Sequence, residues 1–349
     1  MNARVAAILV VLLAVLGGAA LLYQREQGAR RPDNAATLGR TLLKDLQAAD
    51  IATIRIVEPK ATLTIQRKDD RWVIAERADF PADTGKVREF VLKVIGLKIG
   101  QSEPLGEKDR GRLNLDATGT RVELKAADGK DLGVFTVGRK YFKREVDNPA
   151  KAIPDGRFIE LPSEVGTAYL VGDPLTQAAA NSAEWIDRTS FQVEKVKTLD
   201  VRFPAGGAWR IERSGDNAEW KLAGAKPGEK LDISRANAAS YTLQLLELAD
   251  VAPKDTSDTG LDKPITVDAT TLDGLSYAIK VGKLVGENYY VAFTSSGTPK
   301  VDDKNKAKME DKAAREKLLA QHVLLVPKAK LEDTLKPRAE LLEKPAQKK

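Results

Sequence analysis

The chain has 349 residues, 42% hydrophobic, 30% charged and 5% aromatic, a length that one core seldom organises and that points to two domains. Lys and Arg exceed Asp and Glu by 56 to 50, but the signs alternate, as in Lys68-Asp69-Asp70-Arg71 and Glu107-Lys108-Asp109-Arg110. The basic excess thus builds no one-sign face, and with no aromatic-basic motif or zinc-finger spacing a nucleic-acid partner is excluded. Cysteine is absent, which excludes disulfides, thiolate catalysis, Cys-ligated zinc and acylation of an N-terminal Cys.

Val5 to Tyr23 carries no charge over 19 positions. As a helix it would be about 28 Å long, close to the thickness of a bilayer's hydrocarbon core. This predicts a membrane-inserting helix and a chain that crosses once, since no later apolar run is long enough. Two fates are open. Gly18-Ala19-Ala20 is a small-residue pattern that a signal peptidase could use, whereas Leu21, Leu22 and Tyr23 carry the apolar run past it to spanning length. Arg4 precedes the run and Arg25, Arg30 and Arg31 follow it, so flanking charge alone does not favour export.

From residue 45 onward one pattern runs twice. Leu63 and Ile65 lead through a polar turn into Trp72-Val73-Ile74; Trp209 and Ile211 lead through a longer one into Trp220-Lys221-Leu222. Each is a hairpin signature. Next comes a capped helical stretch: Asp83 before Val87, Phe90, Val91, Val94 and Ile95, and Asp232 or Ser234 before Ala238, Tyr241, Leu245 and Leu248. Asp and Ser are good N-caps, and this spacing predicts one buried helical face. Leu115-Asp116 and Leu261-Asp262 then precede alternating strands (Val122, Leu124; Ile265, Val267). Asp-Gly turns follow at 128–129 and 273–274, then strands ending Val137-Gly138 and Val281-Gly282.

Phe158-Ile159-Glu160-Leu161 and Val323-Leu324-Leu325-Val326 read as closing strands, each followed by a helical segment, Pro174 to Trp185 and Lys330 to Leu335. Residues 139–157 form a basic excursion. Residues 298–321 form a long charged insertion, helix-compatible from Met309 to Gln321, polar nearly all round and expected to be exposed. The reading is an α+β chain of two tandem β-rich repeats, with mainly antiparallel sheets, one or two helices packed on each, and an N-terminal transmembrane helix. Its parts are an anchor (1–24), a linker (25–44), repeat one (45–190), repeat two (191–337) and a polar, frayed tail (338–349).

Asp69-Asp70-Arg71-Trp72-Val73-Ile74, Phe80-Pro81-Ala82-Asp83, Gly260-Leu261-Asp262-Lys263-Pro264 and the two Val-Gly strand ends, placed behind an apolar N-terminal run, resemble the bacterial family of membrane-anchored proteins DUF4340, a domain of unknown function. The first copy departs at 113–117, where Leu-Asn-Leu-Asp-Ala lacks the Gly and the Pro. The second has Lys230-Leu231-Asp232 in place of Pro-Ala-Asp. The resemblance implies a single-pass inner-membrane protein with a periplasmic domain, associated with ABC-transporter components of gliding-motility type. It brings no catalytic residue and no cofactor.

The residues themselves offer little chemistry. His322 is the lone histidine, at the head of an apolar strand, and with no Gly-x-Ser-x-Gly elbow it makes no triad. One histidine also cannot build a His-rich metal site. Asp116 and Asp262 recur in both copies and read as caps of nearby backbone N–H groups rather than as an acid–base pair. Gly224 to Lys230 lacks P-loop spacing and reads as a hairpin loop. Trp72 and Trp220 read as core, and Tyr289-Tyr290 should send one ring inward and one outward.

The expectation is therefore no enzyme, no cofactor, no metal and no catalytic site. The chain would be a membrane-tethered auxiliary or scaffold of an envelope transport complex. The alternatives are a periplasmic binding module for an envelope polymer or glycan, gripping it in a cleft between the copies, and, more remotely, a carboxylate-dependent hydrolase.

Overall fold

In the computed structural model, which describes residues 37–144, 152–299 and 303–343, alternating apolar positions become strands wherever a turn lets them pair. The Val5–Tyr23 run lies outside the described residues; among those described, no helix is long and apolar enough to cross a membrane. Strand β2 (Ala61–Lys68) meets β3 (Arg71–Ile74) with Lys68 opposite Arg71, so only Asp69 and Asp70 turn the chain. Both have positive φ, 48° and 59°, the mirror-image turn that matches strand twist, and Asp tolerates it better than most residues.

Two antiparallel sheets result. The first adds β1 (Thr53–Glu58), β4 (Phe80–Pro81), β5 (Ile99–Pro104), β6 (Thr120–Lys125), β7 (Asp131–Arg144), β8 (Ala152–Glu160) and β9 (Thr167–Val171). Its order is β4-β3-β2-β1-β6-β7-β8-β9-β5. The second holds β10 (Val196–Arg202), β11 (Ala208–Glu212), β12 (Lys221–Leu222), β13 (Asp250–Val251), β14 (Ile265–Thr271), β15 (Ser276–Val285), β16 (Asn288–Ser296) and β17 (Leu324–Pro327), in the order β12-β11-β10-β14-β15-β16-β17-β13. Apart from β4, the two orders coincide strand for strand. Four α-helices accompany the sheets among the described residues: α1 (Thr84–Gly96), α2 (Glu107–Leu113), α3 (Ile233–Tyr241) and α4 (Asp303–Leu319).

The chain divides into two compact units, residues 1–62 with 88–180 and residues 63–87 with 181–349. The β2–β3 hairpin and the chain up to Val87 thus group with the second unit, whereas the repeat alone places the boundary near residue 190. Inside that unit Arg77 donates three hydrogen bonds to the Asp250 carboxylate, at 3.0–3.3 Å, and the Ser182 hydroxyl donates a fourth at 2.7 Å. Both members of this ion pair are mostly buried, so truncating either would strand the other charge.

The recurring landmarks touch one another within each unit. In the first, Arg110 holds the buried Glu160 carboxylate through two bonds of 2.8 and 2.6 Å, fixing α2. The helix ends at Asn114, which takes a positive φ. Its last carbonyl, Leu113 O, and the Leu115 side chain then lie where a Cβ on Gly138 would be, at 2.4 and 2.7 Å. In the second unit Thr259 O stands 2.2 Å from the corresponding point on Gly282, with Leu261 beside it. Both glycines follow a valine opposite the first residue of the preceding strand, Thr120↔Val137 and Ile265↔Val281, and both sit where the register shifts. Each Val-Gly is thus a bulge made without a side chain so that a loop carbonyl can press onto the strand.

Several expectations need correction. The buried face of α3 is Ala236, Ala239 and Ser240, leaving Tyr241 and Leu245 exposed. The helix stops at Tyr241 and tightens into a 3-10 turn, which shifts the phase so that Leu243, Leu246 and Leu248 point inward. Pro174 to Trp185 forms only a 3-10 turn at Ser182–Glu184, because Asp173 captures the Leu175 amide at 2.7 Å and Leu175 takes a positive φ. Lys330 to Leu335 likewise contains only the end of a 3-10 turn. By sheet position β17 answers β9, and β8 answers β16, so Phe158–Leu161 and Val323–Val326 are not equivalent strands. The tail read as frayed begins inside the fold: Leu341 is fully buried, and its carbonyl accepts the Asp232 amide.

If the bulges carry the pairing, Gly138→Ala and Gly282→Ala each cost roughly 1–3 kcal/mol, the range for forcing an extra methyl into packed structure. Urea denaturation checks this; unchanged midpoints would show that the loop carbonyls are not pressed onto the strands.

Candidate functional site

The second unit carries the largest concavities among those described, one on each side of α4. Strand alternation turns Tyr277, Ile279 and Val281 of β15 and Val291 and Phe293 of β16 inward. Phe191 stacks on Phe293 with centroids 3.8 Å apart and lies near-parallel to Tyr277 at 6.4 Å. Over this aromatic layer the chain crosses from β16 to β17 as α4. Mostly polar side chains cover the helix, so polar groups share its docking with the buried Leu319 at its C-terminal end.

Glu316 is the centre of that docking. It is 4% exposed, accepts a 2.9 Å hydrogen bond from the Tyr277 hydroxyl, and lies 3.9 Å from Lys312 one turn earlier. Lys312 also donates to Gln192 O at 2.9 Å and stands 3.5 Å from Glu194. Arg315 pairs with Asp187 at 2.6 Å. Burial, and then the neighbouring Glu316 carboxylate, push the Tyr277 phenol far above its ordinary range, so it stays a donor.

One groove, of about 650 Å³, has Leu275, Met309, Ala313 and Ala320 in its walls and the exposed Lys306, Glu310 and Lys317 on its rim. The other, of about 630 Å³, is polar. Of the carboxylates lining it, Glu194, Asp216, Asp273 and Glu316 each face a Lys or Arg within 4.0 Å. The apolar groove has the size and make-up to receive an apolar segment or acyl chain. The polar one is lined by these ion pairs, with the exposed Asp311 also on its wall. Among the described residues no set of three His, Asp or Glu is placed to hold a metal.

The candidates singled out from sequence do not converge here. His322 lies in the turn before β17, half-buried, with its ring edge-on to Phe80 at 5.1 Å. Burial lowers its pKa, against a weaker opposite pull from Asp79. Asp116 accepts the Thr118 amide at 2.9 Å together with the Thr118 hydroxyl, a cap that lowers its pKa; Asp262 is exposed. Trp220 is buried, donates to Asn237 at 2.9 Å and carries the Arg213 guanidinium 4.8 Å over its ring.

Trp72, expected to be equally buried, is only half so. Tyr289 and Tyr290 are consecutive in the regular β16–β17 ladder, opposite Val326 and Leu325, and both are half-buried instead of alternating. Gly224 to Lys230 connects β12 to α3 and is not a hairpin loop; Arg338 closes it through Glu229 at 2.7 Å and Gly224 O at 2.9 Å. The Glu316–Tyr277 bond escaped the sequence reading because 39 residues separate its partners. The one local signal was the Lys312–Glu316 spacing on a helix.

Replacing Tyr277 with Phe leaves the buried Glu316 short of a donor and costs about 1–3 kcal/mol. The folded chain also keeps the Tyr277 proton at pH values where the unfolded chain releases it. Rising pH through roughly 10, the ordinary tyrosine value, therefore removes stability from the native protein. Urea midpoints against pH should fall less steeply there in Tyr277→Phe; identical slopes would place the phenol in water.

The Domain of unknown function (DUF4340) family model matches residues 72–264, more than half of the chain. The match opens on Trp72, closes on the Gly-Leu-Asp-Lys-Pro loop that packs against Gly282, and so runs from the first sheet into the second. No curated protein and no solved structure matches the chain. The matched span starts inside β3 and covers the two Asp-capped helices, α1 and α3, and the Leu-Asp loops that press on the Val-Gly bulges, and the chain belongs to the DUF4340 family.

Proposed function

We propose that this chain is a single-pass inner-membrane protein whose bulk is periplasmic, and that it serves, without catalysis of its own, as an auxiliary or scaffold of an ABC-type transport complex. In this reading the two sheets are tandem copies of one β-rich unit, each with one or two packed helices, held to the bilayer by Val5 to Tyr23. The observation that carries it is the apolar groove beside α4: an open concavity with hydrophobic walls and a charged rim of Lys306, Glu310 and Lys317, the composition of a docking surface. Two further facts support it. The lone histidine is taken up in ring packing and lines neither groove, and the carboxylates of the polar groove are mostly engaged by cations. The same apolar groove favours a second reading, a binding module for an envelope polymer, and its walls suit acyl chains better than sugars.

Crosslinking in intact membranes followed by purification of the full chain tests the proposal. Recovery of integral-membrane transport components is expected, with the yield lost in Ala313→Trp, which fills the groove. A monomer free of membrane partners would overturn the scaffold reading.

A further inference from the structure

Strands β7 and β8 outrun their sheet. β6 pairs with β7 only up to Val137, and β9 pairs with β8 only from Arg157 onward. Residues 141–144 and 152–156 therefore pair only with each other, as a two-stranded arm reaching about 17 Å beyond Arg157 at ~3.3 Å per residue. Such a ribbon has no core of its own and would ordinarily be polar. This one exposes Tyr141 (41%), Phe142 (48%) and Ile153 (41%). Arg139, Lys140 and Lys143 lie among them, against the carboxylate of Asp155 among the described arm residues, while the segment that joins the two strands adds Glu145, Asp147 and Lys151 in sequence. Its base is fixed: Tyr141 meets Phe158 edge-on at 6.5 Å, and Phe158 packs on the cluster of Leu105, Leu115 and Ala168.

Aromatic rings and cations interleaved on a projecting ribbon match the interfacial layer of an anionic bilayer. There the rings sit at headgroup depth, and each cation near the surface contributes about 1 kcal/mol. The chain's geometry allows it. Only 13 residues separate Tyr23 from Thr37, a reach of at most about 45 Å. The chain joins the fold at β5, where the Gly39 amide bonds Ile99 O, two strands from β8. We infer that the β7–β8 arm is a second membrane contact of this protein, docking on anionic phospholipid through Tyr141, Phe142 and Ile153 with Lys140 and Lys143. The inference rests on the membrane-anchored reading above.

The absence of cysteine makes the test direct. Full-length protein carrying Phe142→Cys or Ala14→Cys is labelled with an environment-sensitive dye and reconstituted into vesicles containing nitroxide-labelled lipid. Quenching at position 14 is expected in any vesicle; quenching at 142 is expected with phosphatidylglycerol, lost in pure phosphatidylcholine, and lost in the Lys140→Glu, Lys143→Glu double variant, whose surface positions leave folding intact. Quenching at 14 with none at 142 in phosphatidylglycerol overturns the arm contact and leaves the anchor standing. No quenching at 14 overturns the anchor, and position 142 in the same vesicles then judges the arm by itself. Shielding of 142 only on addition of a membrane-protein extract overturns the lipid assignment in favour of a protein partner.

Discussion

A loop carbonyl pressed onto a strand where a side chain should be is the constraint on which both sheets turn. Leu113 O against Gly138 and Thr259 O against Gly282 occupy positions that any Cβ would contest. Each contact ties the segment before a central hairpin to that hairpin's far strand. In the first unit it is reached through α2, which the Arg110–Glu160 pair holds in place. In the second it is reached through Gly260, whose positive φ brings Thr259 O to the Lys283 amide at 2.8 Å. The strand beyond each bulge is then free to differ, and it does: a long arm in β7–β8, a short hairpin in β15–β16.

That division explains what a single sequence makes legible. Hairpins closed by Asp-Gly, with Gly129 and Gly274 at positive φ, and helices capped by Asp83 and Asp232 are local chemistry, readable residue by residue. The Val-Gly and Leu-Asp landmarks were legible as repeats, but their mutual contact was not, because the partners lie more than twenty residues apart. The short strands β4, β12 and β13, two residues each, carry no periodicity to detect. The phase of α3 was misread because Ala236 and Ala239 bury through smallness, which a pattern weighted toward Leu and Tyr does not register.

The candidate site was harder still. The insertion at 298–321 announced a polar helix, yet its one buried charge among the described residues, Glu316, is held by the Tyr277 hydroxyl, joined across 39 residues. A charged helix held along its C-terminal half by Lys312, Arg315, Glu316 and the buried Leu319 leaves its N-terminal part, from Asn305 to Lys308, exposed beside an apolar groove. Likewise, the basic excursion at 139–157 gained meaning only when pairing showed it to be an unsupported ribbon. In both places the two sheets follow a common plan and the insertions depart from it, and the departures are where apolar surface meets solvent. Function concentrated in the departures accounts for a molecule whose frame repeats and whose polar groove is lined by ion-paired carboxylates.

The frame itself is open to direct measurement through native-state hydrogen exchange at the Lys283 amide. A bulge in an ordinary edge hairpin exchanges readily, since nothing closes it. With Thr259 O seated on it, the Lys283 amide should exchange as slowly as its fully paired neighbour Val281. Fast exchange at Lys283 beside a slow Val281 would contradict the account, because the loop would then not be pressed onto the strand.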